Sequence, residues 1–366
     1  MIENIKICNF KSIKDLDLYL RPINVLIGAN GVGKSNFISF FRLLKSLRND
    51  TLNDYVSEQG SMDNLLYFGE KEDSNIRGEI TFSEIQGKPF IRYAFDLSAD
   101  KRNLAVIKKE TTSQLVNADE KGNSWQDFSS INNTEHSIHL AQLGEMKYVI
   151  AGTYFSDLNV YHFHDTSFDA PLKKTARIHD NSALRHDGSN LAAFLYYLQE
   201  RHPQRLYLIE KVIQSIAPFF GKFILKPSRM NPEYIQFEWQ EKGYERYQNA
   251  HNLSDGTLRF IALTTLMLQP EPPKVIIIDE PELGLHPSAI IKLAGLVRKA
   301  AAKSQVIIST QSVNLMNEFE PEDIIVVDRK NKQSDFRRLD VDKLQIWLED
   351  YGLAELWDKG LIGGKP

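Results

Sequence analysis

A glycine-rich stretch near the N-terminus carries the residues whose spacing indicates chemistry most directly. Gly28 to Ser35 fits Gly-x4-Gly-Lys-Ser, the spacing of a loop that wraps around phosphate, although a glycine-rich turn without a ligand is the alternative. Glycines let backbone amides point at phosphate oxygens, and the N-terminus of a following helix adds a favourable dipole. Lys34 would lie against the β- and γ-phosphates of a nucleotide, and Ser35 would ligate magnesium. The predicted nucleotide-binding residues of this loop are Gly28, Asn30, Gly31, Gly33, Lys34, Ser35 and Asn36.

Two carboxylates follow a short apolar run in the second half of the chain. Residues 275–278 are all β-branched, which is typical of a buried strand, and Asp279 and Glu280 come directly after them. Sheets of α/β proteins bind ligands at the C-terminal ends of their strands. Asp279 would therefore hold the magnesium shell, and Glu280 would polarise the attacking water as a general base. The alternative is a buried strand that runs into an acidic turn.

A third motif, Leu253-Ser254-Asp255-Gly256-Thr257, lies just before a predicted helix. Ser254 and Gly256 could offer a hydroxyl and backbone amides to an anion at the helix N-terminus. The same residues need no ligand if Ser254 acts only as the N-cap of the helix. The spacing alone leaves both interpretations open.

Hydrophobic patterning predicts the elements that position these motifs. Residues 1–20 favour two strands, residues 23–27 a buried strand, and residues 36–47 an amphipathic helix. Residues 75–117 favour strands with a hairpin around Gln86-Gly87, residues 117–136 a polar surface loop, residues 188–218 helix, and residues 222–240 extended chain. After Asp255 the pattern alternates between helices at 256–268 and 287–302, strands at 274–278, 305–309 and 323–327, and a terminal helix from Val341.

The order of the motifs resembles the ABC-type ATPases of the SMC, RecF and OLD group. After the phosphate loop, the Ser254 motif and the acidic strand come Pro281 to Pro287 and then Val306 to Ser312. The chain is most similar to the stand-alone OLD-like "AAA family ATPases" of bacterial anti-phage systems. The opening Ile7 to Ile13 is similar to the N-terminal strand and turn of that group. The resemblance covers residues 1–47 and 250–330.

That resemblance implies a fold class and an assembly. The fold is α/β, a P-loop ABC-type ATPase head with a β-rich N-terminal lobe and an α+β insertion. Residues 1–47 and 250–366 form the core, and residues 48–249 the remainder of the lobes and the insertion. The resemblance also implies a homodimer or higher homo-oligomer closed around ATP and Mg²⁺, head to tail, in which Ser254, Asp255 and Gly256 face the partner's nucleotide.

Three further residues receive roles from the resemblance. Lys11 and Ser12 would lie near the nucleotide, and Gln59 is the candidate for the glutamine that touches magnesium. The chain departs from the family pattern at Gln311, where many relatives carry a switch histidine. Glutamine can donate a hydrogen bond to the γ-phosphate, but it cannot become a cation near neutral pH. We therefore hypothesise slow hydrolysis, with ATP acting as a latch.

Composition and length exclude several classes of protein. The chain has 366 residues, 42% of them hydrophobic, with a net charge of −4 and one cysteine. This balance fits a folded globular protein, excludes internal disulfides, and gives no global basic excess to indicate DNA binding. The charged start lacks the apolar stretch of a signal peptide, and no apolar run is long enough to span a membrane, so we expect a cytoplasmic protein. Without heptads or an acidic metal cluster after Gln311, neither long coiled-coil arms nor a nuclease domain is expected.

Several other residues support weaker interpretations. His162 and His164 could bind a metal, but they lack an identifiable third ligand and fit a polar segment better. Tyr196 and Tyr197 fit core packing better than base stacking. The aromatic residues of the terminal helix, such as Trp347, could dock on their own domain or form a partner surface.

These observations predict an ATP-binding and ATP-hydrolysing protein that dimerises around ATP. By resemblance its role would be a sensor or scaffold that gates a separate effector protein in bacterial anti-phage defence. A RecF-like DNA-repair clamp and a non-hydrolysing, ATP-latched scaffold are the alternatives.

Overall fold

A computed structural model describes residues 1–67, 75–83, 89–119, 122–134, 155, 157–348 and 350–364. The predicted α/β fold is confirmed, because two six-stranded sheets combine with helices. One sheet is antiparallel. The other is mostly parallel and carries the motifs described above.

The antiparallel sheet brings the N-terminus together with the middle of the chain. Its strand order is β2-β1-β4-β5-β6-β7. The strands are β1 Ile2–Phe10, β2 Ile13–Tyr19, β4 Ile76–Ser83, β5 Pro89–Ala99, β6 Ala105–Asp119 and β7 Gly122–Thr134. Residues such as Ile5, Ile7, Leu16 and Leu18 alternate with more exposed ones, the period-two pattern of a half-buried sheet.

The second sheet holds the chemistry-bearing segments in the order β17-β16-β3-β15-β14-β8. The strands are β3 Ile23–Ile27, β8 Asn159–Tyr161, β14 Val275–Asp279, β15 Gln305–Thr310, β16 Ile324–Lys330 and β17 Gln333–Arg338. Strands β8, β14, β15, β3 and β16 run parallel, and β17 pairs antiparallel with β16.

Both faces of the parallel sheet are buried, which explains its unbroken apolar runs. Val275 and Ile277 pack into a hydrophobic core shared with the antiparallel sheet, whereas Ile276 and Ile278 pack into a second core formed with helices. The helix that follows β3 belongs to the first core through residues such as Phe37.

The described helices connect and cover these sheets. They are α1 Lys34–Arg48, α2 Leu52–Glu58, α3 Leu191–Arg201, α4 Pro203–Ile216, α5 Asp255–Leu268, α6 Pro287–Ala300, α7 Val313–Met316, α8 Val341–Leu348 and α9 Leu353–Asp358. The predicted helix over 188–218 is divided at His202, where α3 ends and α4 begins with a proline. Proline fits the first turn of a helix because that position needs no backbone donor.

Two small sheets are formed by short strands within residues 176–249. The strands β10 Phe220–Phe223, β12 Glu238–Glu241 and β13 Tyr247–Asn249 form one, and β9 Ala176–Arg177 with β11 Tyr234–Ile235 forms the other. The extended chain predicted for 222–240 is therefore strand only over β11, β12 and the end of β10.

The surface loop predicted over 117–136 is wrong for the described residues of that range, 117–119 and 122–134. Strand β6 continues to Asp119, and β7 pairs with it antiparallel from Gly122 to Thr134. Because β7 lies at the edge of the sheet, its backbone hydrogen bonds form without the apolar alternation that would have marked it in the sequence. The predicted turn at Gln86-Gly87 lies outside the described residues, although the strands β4 and β5 on either side of it do pair.

The chain's C-terminal region forms two short helices where one was predicted. Trp347 of α8 is 45% exposed, whereas Trp357 of α9 packs against the helical core. Among the described residues, no helix combines the length and the apolarity needed to cross a lipid bilayer.

Candidate functional site

The register of three adjacent parallel strands brings the predicted motifs to one edge of the sheet. Ile27, the last residue of β3, pairs with Thr310 of β15, and Ser309 of β15 pairs with Asp279 of β14. The phosphate loop after β3 and the carboxylates at the end of β14 therefore lie at the same level, separated by the width of β15. Ligands of α/β proteins bind at this edge.

Lys34 lies at the first position of α1, buried beneath the glycine-rich loop. Its ammonium donates hydrogen bonds to the carbonyls of Gly28 (2.6 Å) and Ala29 (2.9 Å). Burial lowers the pKa of Lys34, and the nearby carboxylates of Glu280 and Asp279 partly oppose that shift. The cation therefore has only neutral hydrogen-bond partners among the described residues, and it is suited to receive an anionic ligand.

A network of side-chain hydrogen bonds holds the glycine-rich loop in place. The Ser12 hydroxyl shares a 2.6 Å hydrogen bond with Ser334 and accepts another from the Asn36 amide at 2.6 Å. Ser334 also donates to the carbonyl of Val32 at 2.5 Å. Gly33 is required here, because its φ is +118° and a Cβ would lie 2.0 Å from the Ser334 hydroxyl oxygen.

In this network, Ser12 and Asn36 form hydrogen bonds with other side chains and so support the glycine-rich loop. Ser334, on β17, was not predicted as part of the site. Sequence patterning carries no signal for it, because the contact joins residues 322 positions apart. In contrast, Asn30, Gly31 and the Ser35 side chain are exposed at the open face of the loop.

Asp279, the last residue of β14, and Glu280, which follows it, are held by different hydrogen bonds. The Ser309 hydroxyl donates to the Asp279 side chain, and the Nε2 of His164 donates to the Asp279 carbonyl at 2.6 Å. Glu280 has a left-handed φ of +43°, and its amide donates to the carbonyl of Ser309 at 2.9 Å. The Gln311 amide nitrogen donates to the Glu280 carboxylate.

Glu282 is a third carboxylate at this edge, and the sequence did not identify it. One of its oxygens accepts a hydrogen bond from the Thr310 hydroxyl at 2.5 Å, whereas the other is buried without a partner among the described residues. Burial raises the pKa of Glu282. Glu282 lies close enough to Lys34 that its negative charge, like those of Glu280 and Asp279, opposes the lowering of the Lys34 pKa by burial.

The residues of the phosphate loop and the acidic strand fit a nucleoside triphosphate and magnesium. The loop offers amides and a buried ammonium, and the Ser35 hydroxyl and Asp279 carboxylate are hard oxygen donors of the kind Mg²⁺ prefers. The described residues contain no group of three or more His, Cys, Asp or Glu side chains arranged to hold a metal alone.

The Ser254 motif lies at the start of α5. Ser254 accepts a hydrogen bond from the amide of Thr257 at 3.3 Å and is therefore the N-cap of the helix. Ser254 remains exposed, and Asp255 is 62% exposed with its carboxylate 4.0 Å from Lys173. Over the described part of the chain, no hydrogen bond or ion pair joins residues 254–256 to the phosphate loop. The motif packs instead on the turn that follows Glu280, since a Cβ on Gly256 would lie 2.4 Å from the Gly284 carbonyl oxygen.

Lys11 and Gln59 meet beside α1. The Lys11 ammonium donates to the Ser39 hydroxyl at 2.9 Å and to the Gln59 side-chain oxygen at 3.0 Å. Burial lowers the pKa of Lys11, and Arg42 adds to the shift. Ser39 lies about one helical turn after Ser35, which puts the Lys11–Gln59 pair one turn along α1 from the predicted magnesium ligand.

His162 and His164 point to different partners. His162 accepts a hydrogen bond from the Arg42 guanidinium, and burial together with Arg42 lowers its pKa to about 4. His164 contacts Asp279 instead, and the two rings lie edge to face with centroids 5.9 Å apart. Each imidazole is therefore engaged with a neighbouring group in a role that the sequence did not predict.

Known proteins share both sequence and fold with this chain. Residues 23–317 match the family described as "AAA domain, putative AbiEii toxin, Type IV TA system". The DNA replication and repair protein RecF of Renibacterium salmoninarum is 31% identical over 109 residues, which cover 30% of this chain. The match spans only 24% of the length of that RecF.

Two solved structures resemble the whole described fold. An Smc head bound to the C-winged helix domain of ScpA superposes with a TM-score of 0.63 at 15% identity, covering 94% of this chain and 99% of that one. An Smc head with an extended coiled coil, bound to the C-terminal domain of ScpA derived from Pyrococcus furiosus, gives 0.60 at 15% identity, covering 95% and 98%. At this identity the likeness establishes the fold of a P-loop ABC-type head. The match over residues 23–317, which is more than half of the chain, shows that the chain belongs to this AAA-domain family, and its fold is that of the Smc heads.

Proposed function

We propose that the chain binds ATP with Mg²⁺ and hydrolyses ATP to ADP and phosphate. The observation that carries this proposal is the strand register that aligns the phosphate loop with the acidic strand at one sheet edge. Lys34, Ser35, Asp279 and Glu280 come from two separate motifs, yet they converge where a triphosphate would lie.

Each residue has a role that follows from its chemistry. Lys34 would clamp the β- and γ-phosphates, and Ser35 with Asp279 would hold Mg²⁺. The ion would neutralise phosphate charge. Glu280 would accept a proton from the attacking water, and Gln311, which donates to Glu280, would hold that carboxylate in one orientation. Gln59 would contact the magnesium and Lys11 would lie near the nucleotide, both from positions beside α1.

We further propose that two chains close head to tail around ATP. Ser254 and Asp255 are exposed, and Gly256 is half-buried. Over the described residues, none of the three has a hydrogen bond or ion pair to the phosphate loop of its own chain, so they remain available to the nucleotide of a second chain. The exposed Ser254 hydroxyl, which caps the helix, and the amides of the first helical turn suit a phosphate group. The assembly would be a homodimer or a higher homo-oligomer.

Steady-state phosphate release tests the catalytic part of this proposal. Wild type should release phosphate with Mg²⁺, and Lys34→Ala should not, because the ammonium that receives the phosphates is lost. Glu280→Gln should still bind ATP but lose turnover by about 100-fold or more. Equal and negligible rates for wild type and Glu280→Gln, with ATP bound by both, would favour the non-hydrolysing latch.

For the biological role, we propose that the ATP-closed form gates a separate effector protein in bacterial anti-phage defence. The resemblance to stand-alone OLD-like ATPases supports this role. The Smc heads with the same fold bind ScpA, so a head of this type can carry a partner protein. Affinity purification of tagged Glu280→Gln from its native host with ATP tests this, because a stoichiometric second protein is expected.

The RecF relative favours one alternative, a DNA-repair clamp. That function requires tight binding to gapped DNA that weakens as salt increases. Binding of this kind by the purified ATP-bound chain, without a second protein, would replace the effector proposal.

A further inference from the structure

The C-terminal segment, residues 360–364, lies against the start of the phosphate loop. A Cβ on Gly364 would lie 3.4 Å from the Cα of Gly28, and two further groups lie within 3.2 Å of that position. Gly28 also packs on strand β16, since a Cβ on Gly28 would lie 2.3 Å from the Val327 carbonyl oxygen. The first glycine of the phosphate loop therefore contacts both β16 and the C-terminal segment.

Two side chains of the hairpin formed by β16 and β17 hold this segment in place. The Asp328 carboxylate accepts a hydrogen bond from the Gly364 amide at 2.6 Å, and Nη2 of Arg337 donates to the Ile362 carbonyl at 2.7 Å. The same Nη2 lies 3.3 Å from the Asp328 carboxylate, so the two side chains also pair with each other. The Ile362 side chain is buried in the helical core. The segment is thus fixed by its backbone and by one apolar side chain.

Two consecutive glycines make this close contact possible. Gly363 and Gly364 have φ values of +79° and +78°, in the left-handed region that glycine adopts most readily. A Cβ on Gly363 would lie 2.2 Å from Nη2 of Arg337 and 2.7 Å from the Asp328 carboxylate. A side chain at position 363 would therefore displace the ion pair that holds the segment.

The contact at Gly28 leads directly to the lysine of the phosphate loop. The Gly28 carbonyl accepts a 2.6 Å hydrogen bond from the Lys34 ammonium. Near the other end of the loop, Ser334 of the same hairpin donates to the Val32 carbonyl at 2.5 Å. The hairpin therefore supports the phosphate loop at two points, directly through Ser334 and through the C-terminal segment at Gly28.

We propose that Asp328 and Arg337 are positioning residues for ATP binding. By holding the C-terminal segment against Gly28, they fix the start of the phosphate loop and, through it, Lys34. The Gly28 contact supports the loop in the same way in the ground state and in the transition state. Its loss should therefore weaken ATP binding without slowing the chemical step. This inference rests on the proposed binding of ATP by the loop.

Two glycine variants test the contact between the segment and the loop. Gly364→Ala places a methyl group against Gly28 at a left-handed φ. Gly360→Ala is the matched control, because it introduces the same strain at a φ of +72° but meets no atom within 4 Å. The comparison separates the contact with the loop from the cost of an alanine in the left-handed region.

Two variants of basic residues test the side chains that hold the segment. Arg337→Met removes the donor to Ile362 and keeps a side chain of similar length. Lys330→Met is the matched control, because Lys330 lies on the same hairpin and pairs with Asp335 at 2.6 Å. Both substitutions remove one positive charge, and only the first removes a hydrogen bond to the segment.

The first measurement is turnover against ATP concentration, with calorimetry of ATP binding in a Glu280→Gln background. Gly364→Ala and Arg337→Met should each raise KM and Kd for ATP roughly tenfold, the factor that corresponds to one hydrogen bond to a charged group. Their kcat should stay within about twofold of wild type, as expected for lost uniform binding. Gly360→Ala and Lys330→Met should keep the wild-type KM.

The second measurement is hydrogen exchange without nucleotide, which does not depend on ATP. Amides of residues 28–33 should exchange faster in Gly364→Ala and Arg337→Met than in wild type and in both controls. A wild-type KM in Gly364→Ala and Arg337→Met would overturn the positioning role, and so would an equal rise of KM in Gly360→Ala. If wild type binds no ATP, the proposed function fails, whereas the exchange result still shows whether the segment holds the loop.

Discussion

The side-chain amide of Gln311 donates a hydrogen bond to the carboxylate of Glu280, so the proposed general base is oriented by an uncharged group. The two residues follow neighbouring parallel strands, β15 and β14, whose register places Ser309 opposite Asp279. A histidine at position 311 could acquire positive charge near neutral pH, which glutamine cannot. The identity of this residue therefore bears on the rate of hydrolysis.

Gln311→His should accelerate turnover roughly fivefold, equivalent to about 1 kcal/mol of barrier. The imidazole can become cationic close to the developing phosphate charge, and the ATP-closed dimer should shorten its lifetime accordingly. Phosphate release and dimer dissociation after dilution measure the two effects. Gln126→His, at an exposed position of β7, is the control. Unchanged turnover and unchanged dimer lifetime would contradict the latch hypothesis.

Two glycines of the phosphate loop should differ sharply in their tolerance of alanine. Gly33→Ala places a Cβ 2.0 Å from the Ser334 hydroxyl oxygen and 2.8 Å from that of Ser12, at a φ of +118°. We expect a loss of about 3 kcal/mol or more in the free energy of unfolding. Gly31→Ala meets no atom within 4 Å at a φ of +77°. Its loss should be only about 1 kcal/mol, from left-handed strain.

Urea denaturation of wild type and the two alanine variants measures this difference. Equal losses for the two variants would show that Ser12 and Ser334 do not brace the loop. A Ser334→Ala, Gly33→Ala double variant should recover part of the loss, because the nearest of the three clashing atoms is removed.

Glu282 should make the chain's stability depend on pH. Burial raises its folded-state pKa above the ordinary glutamate value of 4.5, so the folded chain holds this proton more tightly than the unfolded chain. The corresponding stability is present below pH 4.5 and is lost as the pH rises through the folded-state value. Glu282→Gln removes the buried charge and should therefore stabilise the chain at pH 7 by about 1 kcal/mol.

Thermal unfolding between pH 4 and pH 8 tests the role of Glu282. The difference in melting temperature between Glu282→Gln and wild type should increase with pH. A constant difference, or greater stability of wild type at pH 7, would contradict the assignment of an unfavourable buried carboxylate.

Local patterns predicted much of the core of the site. The strand before Gly28, the helix after Lys34 and the strand before Asp279 are each marked by a strong apolar pattern, and the structure contains all three. The alternation after Asp255 was also predicted closely, since α5 spans Asp255–Leu268 against a predicted 256–268. The motif spacing was informative because it requires a strand, a turn and a helix in a fixed order.

Contacts between distant parts of the chain could not be predicted in the same way. Strand β8 has only three residues, too few for a periodic signal, yet it carries the chain to His164 beside Asp279. Ser334 and Asp328 act through hydrogen bonds to residues 302 and 36 positions away, respectively. Such pairings depend on the tertiary fold, and a polar residue that makes them looks like any other surface residue in the sequence.

The measurement that tests the central claim most directly is the native mass of Glu280→Gln with and without ATP and Mg²⁺. The head-to-tail arrangement predicts a single chain of 42.0 kDa without nucleotide and twice that mass with it. Adding Ser254→Arg should prevent the doubling while ATP binding to each chain persists, because the added side chain blocks only the surface that meets the partner's nucleotide. A mass that stays at that of one chain when ATP is bound to Glu280→Gln would contradict the account.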